Sequence, residues 1–77
     1  MPHFIVKLYP GRTEDQKKQL TSAIIKDAME ILKCEEKSLS VAFEEVAPED
    51  WPERVYKPDI LDKKETLYRE PGYNPFT

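Results

Sequence analysis

Between Thr13 and Lys33 the apolar residues Leu20, Ala23, Ile24, Ala28, Ile31 and Leu32 recur at three- and four-residue spacing, which predicts one amphipathic helix. The stretches on either side alternate with period two instead. In HFIVKLY, Phe4, Val6 and Leu8 share one face while His3, Ile5, Lys7 and Tyr9 share the other. Apolar residues on both faces mark a strand expected to be covered on both sides, and Pro10-Gly11-Arg12 ends it with a turn. In SLSVAFEEVA, Ser38 to Ala47, Val41 and Phe43 point one way and Ala42 and Val46 the other. Strand, long helix and strand in succession specify a β-α-β unit with parallel strands and a right-handed crossover. The helix start is written locally: Thr13 can cap, Gln16 completes a capping box, and Glu14 and Asp15 sit at the positive end of the dipole.

The expected class is therefore α+β, in a single domain over residues 1–77. Residues 1–57 form the β-α-β core plus a short helix at PEDWPERVY, where Pro48 suits the first helical position and Trp51 and Val55 stand four apart. Residues 58–77 form an irregular C-terminal arm with one short strand around Thr66 to Arg69. Leu67, Tyr68, Tyr73 and Phe76 make this arm too apolar for a solvated tail, so it is expected to dock. One helix covers one face of a two-stranded sheet and leaves the other face open.

A 77-residue chain buries a small fraction of its surface and needs reinforcement. Cys34 has no partner for an internal disulfide, and one cysteine with one histidine cannot furnish a closed zinc site, so no metal or other cofactor is expected. Self-association remains. The lone cysteine and the lack of any long apolar run place the protein in the cytoplasm, away from membranes. A net charge of −3 carries no footprint for nucleic acid.

The candidate chemistry lies at the front. Methionine before a small residue such as proline is normally removed, and Pro2 then changes from a tertiary amide to a secondary amine. An α-amino group already titrates at about 7.7–8.0, and apolar surroundings lower it further, toward the range where a general base works best. Each candidate also has a plain reading. Pro2 can be an accident of sequence, Arg12 a solvated charge after a turn, and Trp51 a core or interface residue. His3 reads as a surface or packing histidine and Cys34 as a small half-buried hydrophobe.

These residues carry a resemblance. MPHFIVKLYPGRTEDQKKQLTSAI resembles the opening of the 4-oxalocrotonate tautomerase family, with Met-Pro, an apolar strand, a Gly-Arg pair and a helix led by a Thr-x-x-Gln box. SVAFEEVAPEDW resembles the family's second strand and the turn with its aromatic residue, so the likeness spans roughly residues 1–56. It implies that Pro2 is the catalytic base once Met1 is lost, that Arg12 binds a substrate carboxylate, and that Trp51 is an aromatic wall keeping the site dry. It also implies a β-α-β protomer pairing into a four-stranded sheet; the longer arm points to a homodimer, as in the longer-chain bacterial branch. Where founding members hold a second arginine, this chain has Ala42, with Arg54 or Arg69 the only candidates to replace it from elsewhere.

The expected activity is enol–keto isomerisation of a 2-hydroxy-enoic or -dienoic acid, of the phenylenolpyruvate or 2-hydroxy-2,4-pentadienoate type, by an isomerase needing no cofactor. One alternative is a hydratase or dehalogenase acting on a 3-haloacrylate-like acid through cationic Pro2, with Glu44, Glu45 or Glu49 activating water. Another is a non-enzymatic, self-associating binding module. The enzymatic readings require Met1 to be absent from the cellular protein. Intact-mass measurement is expected to find a chain beginning at Pro2, and retention of Met1 would favour the binding module.

Overall fold

A computed structural model describes residues 1–76. The chain divides into two compact units, Met1–Glu45 and the part from Val46 onward. In the first, β1 (His3–Leu8) leads to α1 (Glu14–Leu32) and then to β2 (Ser40–Glu45). β1 and β2 are parallel, in a register running from His3 opposite Ser40 to Leu8 opposite Glu45. The β-α-β unit and its α+β class are thus as the periodicity predicts.

The Thr13 box forms as its spacing requires. Thr13 Oγ1 accepts from the Gln16 backbone N–H at 3.1 Å, and Gln16 Oε1 accepts from the Thr13 N–H at 2.9 Å. Lys17, one turn further, reaches down from α1 to Glu45 at the end of β2, with Nζ to Oε2 at 2.8 Å. Phe4, Val6, Leu8, Val41 and Phe43 are half-buried and share the face toward α1.

The apolar stripe is covered less than its periodicity implies. Ala28 is buried and Ile24 half-buried, but Ile31 is 73 % and Leu32 55 % exposed. Ile5, on the other face of β1, is 55 % exposed, so the expected cover on both faces is absent from a single copy. A two-stranded sheet is too narrow to shield a 19-residue helix along its length.

β2 is shorter than the predicted Ser38–Ala47. Glu36–Ser38 form a 3₁₀ turn, and the strand stops at Glu45, after which Val46 is only 1 % exposed. The second unit departs further. Pro48–Asp50 are a 3₁₀ turn and Pro52–Ile60 a π-helix, where a single short helix ending near Tyr56 was expected. Pro58 lies inside that helix. In an α-helix its ring would meet the carbonyl four residues back, whereas the wider π turn accommodates it. No strand forms near Thr66–Arg69: Leu61–Thr66 are a further 3₁₀ segment, and Tyr68 stands fully in solvent instead of docking.

Helix α1 closes on Lys33, whose φ of 56° and ψ of 46° lie in the left-handed region that glycine usually supplies. Lys33→Gly is expected to raise stability by roughly 1 kcal/mol by relieving that backbone cost. Thr13→Ala is expected to lower it by about 1 kcal/mol. Urea unfolding at fixed protein concentration measures both.

Candidate active site

Pro2 stands immediately before β1, half-buried, and Ser40 holds it there. The Ser40 N–H donates to the Pro2 carbonyl at 3.3 Å, and the Ser40 hydroxyl and His3 Nδ1 are hydrogen-bonded at 2.6 Å. One residue of β2 therefore holds both the Pro2 backbone, through its carbonyl, and the His3 side chain. Met1 is 98 % exposed, so its loss removes little packing. Ser40 was not among the residues singled out from sequence. Its only signal there was its position opposite His3 once the parallel register is drawn.

Arg12 lies at the other end of β1. Gly11, with φ of 122°, makes a turn that a side chain at that position would strain, and this turn delivers Arg12 beside the start of α1. Arg12 lines a hollow of about 170 Å³ with Leu8, Gln16, Lys17, Leu20 and Phe43. The two cations there differ. Lys17 is engaged by Glu45 and, at 3.4 Å, by Glu14, and its pKa is raised, first by the hydrogen bond from its ammonium to Glu45. Arg12 is exposed and makes no ion pair among the described residues. An unengaged guanidinium above an apolar floor of Leu8, Leu20 and Phe43 is suited to a carboxylate with an apolar tail.

One protomer does not bring Pro2 and Arg12 together. The six residues of β1 lie between them, roughly 20 Å at the usual rise of a strand. Trp51 belongs to the second unit, at the junction of the 3₁₀ turn and the π-helix. Its indole Nε1–H donates to the Tyr73 hydroxyl at 2.7 Å. Tyr73 also packs against buried Tyr56, with ring centroids 5.4 Å apart, and Phe76 meets Tyr56 edge-on at 5.9 Å. Arg54 and Arg69 are exposed residues of this second unit. Of the carboxylates weighed as water activators, Glu45 is occupied by Lys17.

No helix among the described residues is long and apolar enough to cross a membrane. A family model described as "Tautomerase enzyme" matches residues 2–52, beginning at Pro2 and ending just past Trp51. A probable tautomerase of Xylella fastidiosa is 40% identical over 73 residues, covering 95% of this chain and 89% of that protein. Tautomerase PptA of Cronobacter sakazakii is 40% identical over 78 residues, covering 95% and 97%. Among solved structures, TomN, a 4-oxalocrotonate tautomerase homologue of the tomaymycin biosynthetic pathway, aligns with a TM-score of 0.62 at 32% identity, covering 65% of this chain and 77% of that one. YwhB, another homologue of 4-oxalocrotonate tautomerase, aligns at 0.58 and 30% identity, covering 60% and 75%. A β-α-β frame that starts at Pro2, carries an unengaged arginine past its first turn and matches these proteins over most of its length belongs to the tautomerase family, and the chain is an isomerase of the 4-oxalocrotonate tautomerase kind.

Proposed function

We propose that the protein is a cytoplasmic homodimer that ketonises the enol of a 2-oxo monoacid, with Pro2 as general base after Met1 is removed. Neutral Pro2 takes the proton of the 2-hydroxyl group, the O–H electron pair becomes the second bond of C2=O, and the displaced C2=C3 π pair takes a proton from the resulting prolinium at C3, or at C5 through the C4=C5 bond of a conjugated dienol. Arg12 holds the carboxylate and steadies the negative charge that develops beside it. Trp51 supplies an apolar wall that keeps the amine uncharged. The substrate class is an aryl or dienyl acid such as phenylenolpyruvate or 2-hydroxy-2,4-pentadienoate, because Ala42 removes the second cation that a diacid would need.

The observation that carries this reading is the placement of Pro2 and an unengaged Arg12 at opposite ends of one strand. A site using both must draw them from two copies. Antiparallel pairing of two β1 edges, with His3 of one copy opposite Leu8 of the other, completes a four-stranded sheet and sets Pro2 of each copy beside the Gly11–Arg12 turn of its mate. The exposed Ile31 and Leu32 of α1 give a neighbouring copy apolar surface to cover.

Enolised phenylpyruvate, followed by loss of enol absorbance, tests both parts. A form retaining one residue ahead of Pro2 is expected to lose at least about a hundredfold in kcat; unchanged rates would dismiss Pro2 as the base. Arg12→Ala is expected to raise KM far more than it lowers the stability of the fold. Mixing the blocked-Pro2 form with Arg12→Ala under subunit exchange is expected to restore roughly a quarter of wild-type activity, since half the dimers are hybrids with one intact site of two. Absence of recovery, with exchange shown by mass, would mean that each site lies within one copy.

A further inference from the structure

The second unit is built around an aromatic chain that the isomerase reaction does not by itself require. Tyr56, 7 % exposed, is its anchor. Tyr73 leans on Tyr56 with an interplanar angle of 53°, and Phe76 stands against the same ring at 69°. Tyr73 then reaches outward, and its hydroxyl accepts the indole N–H of Trp51 at 2.7 Å across 22 positions of sequence. An indole has one donor and no acceptor, so a hydroxyl held in place on a packed ring fixes the direction of its N–H edge, and with it the plane of the ring face.

We propose that Tyr73 is a positioning residue for substrate recognition: anchored on Tyr56, it orients the indole of Trp51 so that the ring face meets the aryl or dienyl tail of the substrate. This rests on the reading of Trp51 as the wall of the active site. The C-terminal arm is then a scaffold for specificity, in addition to any part it has in covering the surface of the assembly. Loss of the Tyr73 hydroxyl leaves Pro2 and Arg12 untouched. The cost falls on binding of the substrate's apolar end and not on proton transfer, a change in KM with kcat preserved.

Trp51 is the only tryptophan, so tryptophan fluorescence comes from this residue alone. In the wild-type protein, 3-phenylpropanoate, which cannot enolise, is expected to shift Trp51 emission on titration. Tyr73→Phe keeps the ring and removes the acceptor. It is expected to raise KM for enolised phenylpyruvate about three- to tenfold, with kcat within about twofold, and to weaken the 3-phenylpropanoate titration by the same factor. In a Trp51→Phe background, which has no indole to orient, Tyr73→Phe is expected to change KM no further, whereas a merely structural role would cost the same in both backgrounds. Wild-type emission indifferent to saturating 3-phenylpropanoate, in a protein that still turns over enolised phenylpyruvate, would overturn the Trp51 wall and the inference with it. A wild-type response that Tyr73→Phe leaves unaltered in midpoint would overturn the role of Tyr73 alone.

Discussion

Six facing pairs tie β1 to β2, from His3 opposite Ser40 to Leu8 opposite Glu45, and the contacts at both ends of the strand depend on that register. At one end it brings the Ser40 N–H to the Pro2 carbonyl and the Ser40 hydroxyl to His3. At the other it places Glu45 beneath Lys17, which occupies the lysine and leaves Arg12 as the unengaged cation of its hollow. A slip of one residue would turn Val41 and Phe43 out of the helix-facing layer and carry Ser40 away from Pro2. Packing and site geometry are therefore specified by the same set of pairs, and a variant that disturbs one disturbs the other.

Among the described residues only Ala28, Val46, Val55 and Tyr56 are buried apolar residues in the single copy. So small a core is what surface-to-volume scaling dictates for 77 residues, and the apolar residues that remain in water are not scattered. Ile31 and Leu32 continue the inward stripe of α1, and Ile5 lies at the middle of the open sheet face. Surface of this kind is stable when a second copy removes it from water, at about 25 cal/mol for each Å². Folding and catalysis then both call for further copies: in the proposed site a copy paired along the β1 edge supplies Arg12 to Pro2, while the sheet face bearing Ile5 still needs cover of its own.

The first unit was legible because its signals are local and mutually consistent. The Thr13–Gln16 box, the period of α1 and the alternation of β1 each depend on residues within a few positions, and all three appear where the spacing puts them. The second unit was not, for reasons that are equally physical. Pro58 excludes an ordinary α-helix over its preceding turn without saying what replaces it, and the π geometry of Pro52–Ile60 is a solution that no short-range rule selects. A strand near Thr66 was expected from an apolar pair, Leu67 and Tyr68, but no neighbouring edge pairs with it and Tyr68 turns to solvent. The site residues divide in the same way. The candidates Pro2, Arg12 and Trp51 were singled out by residue type and by resemblance, whereas the hydrogen bonds of Ser40 and Tyr73 reach partners 37 and 22 positions away and leave no pattern in the chain.

Ala42 gives the substrate argument its sharpest form. It stands opposite Ile5 in the register, and both residues are exposed on the sheet face away from α1. Where the resemblance implies a second guanidinium, this chain therefore presents an apolar pair two positions in from the Ser40–His3 bond. Seating a dianion against that pair would strip water from a charge with nothing to replace it, at a cost of several kcal/mol. An uncharged aryl or dienyl tail loses only water that it holds weakly. In the proposed site, alanine in place of a second arginine would set preference through the penalty imposed on the diacid more than through any new attraction for the monoacid, keeping the proposed proton transfer at Pro2 while narrowing what reaches it.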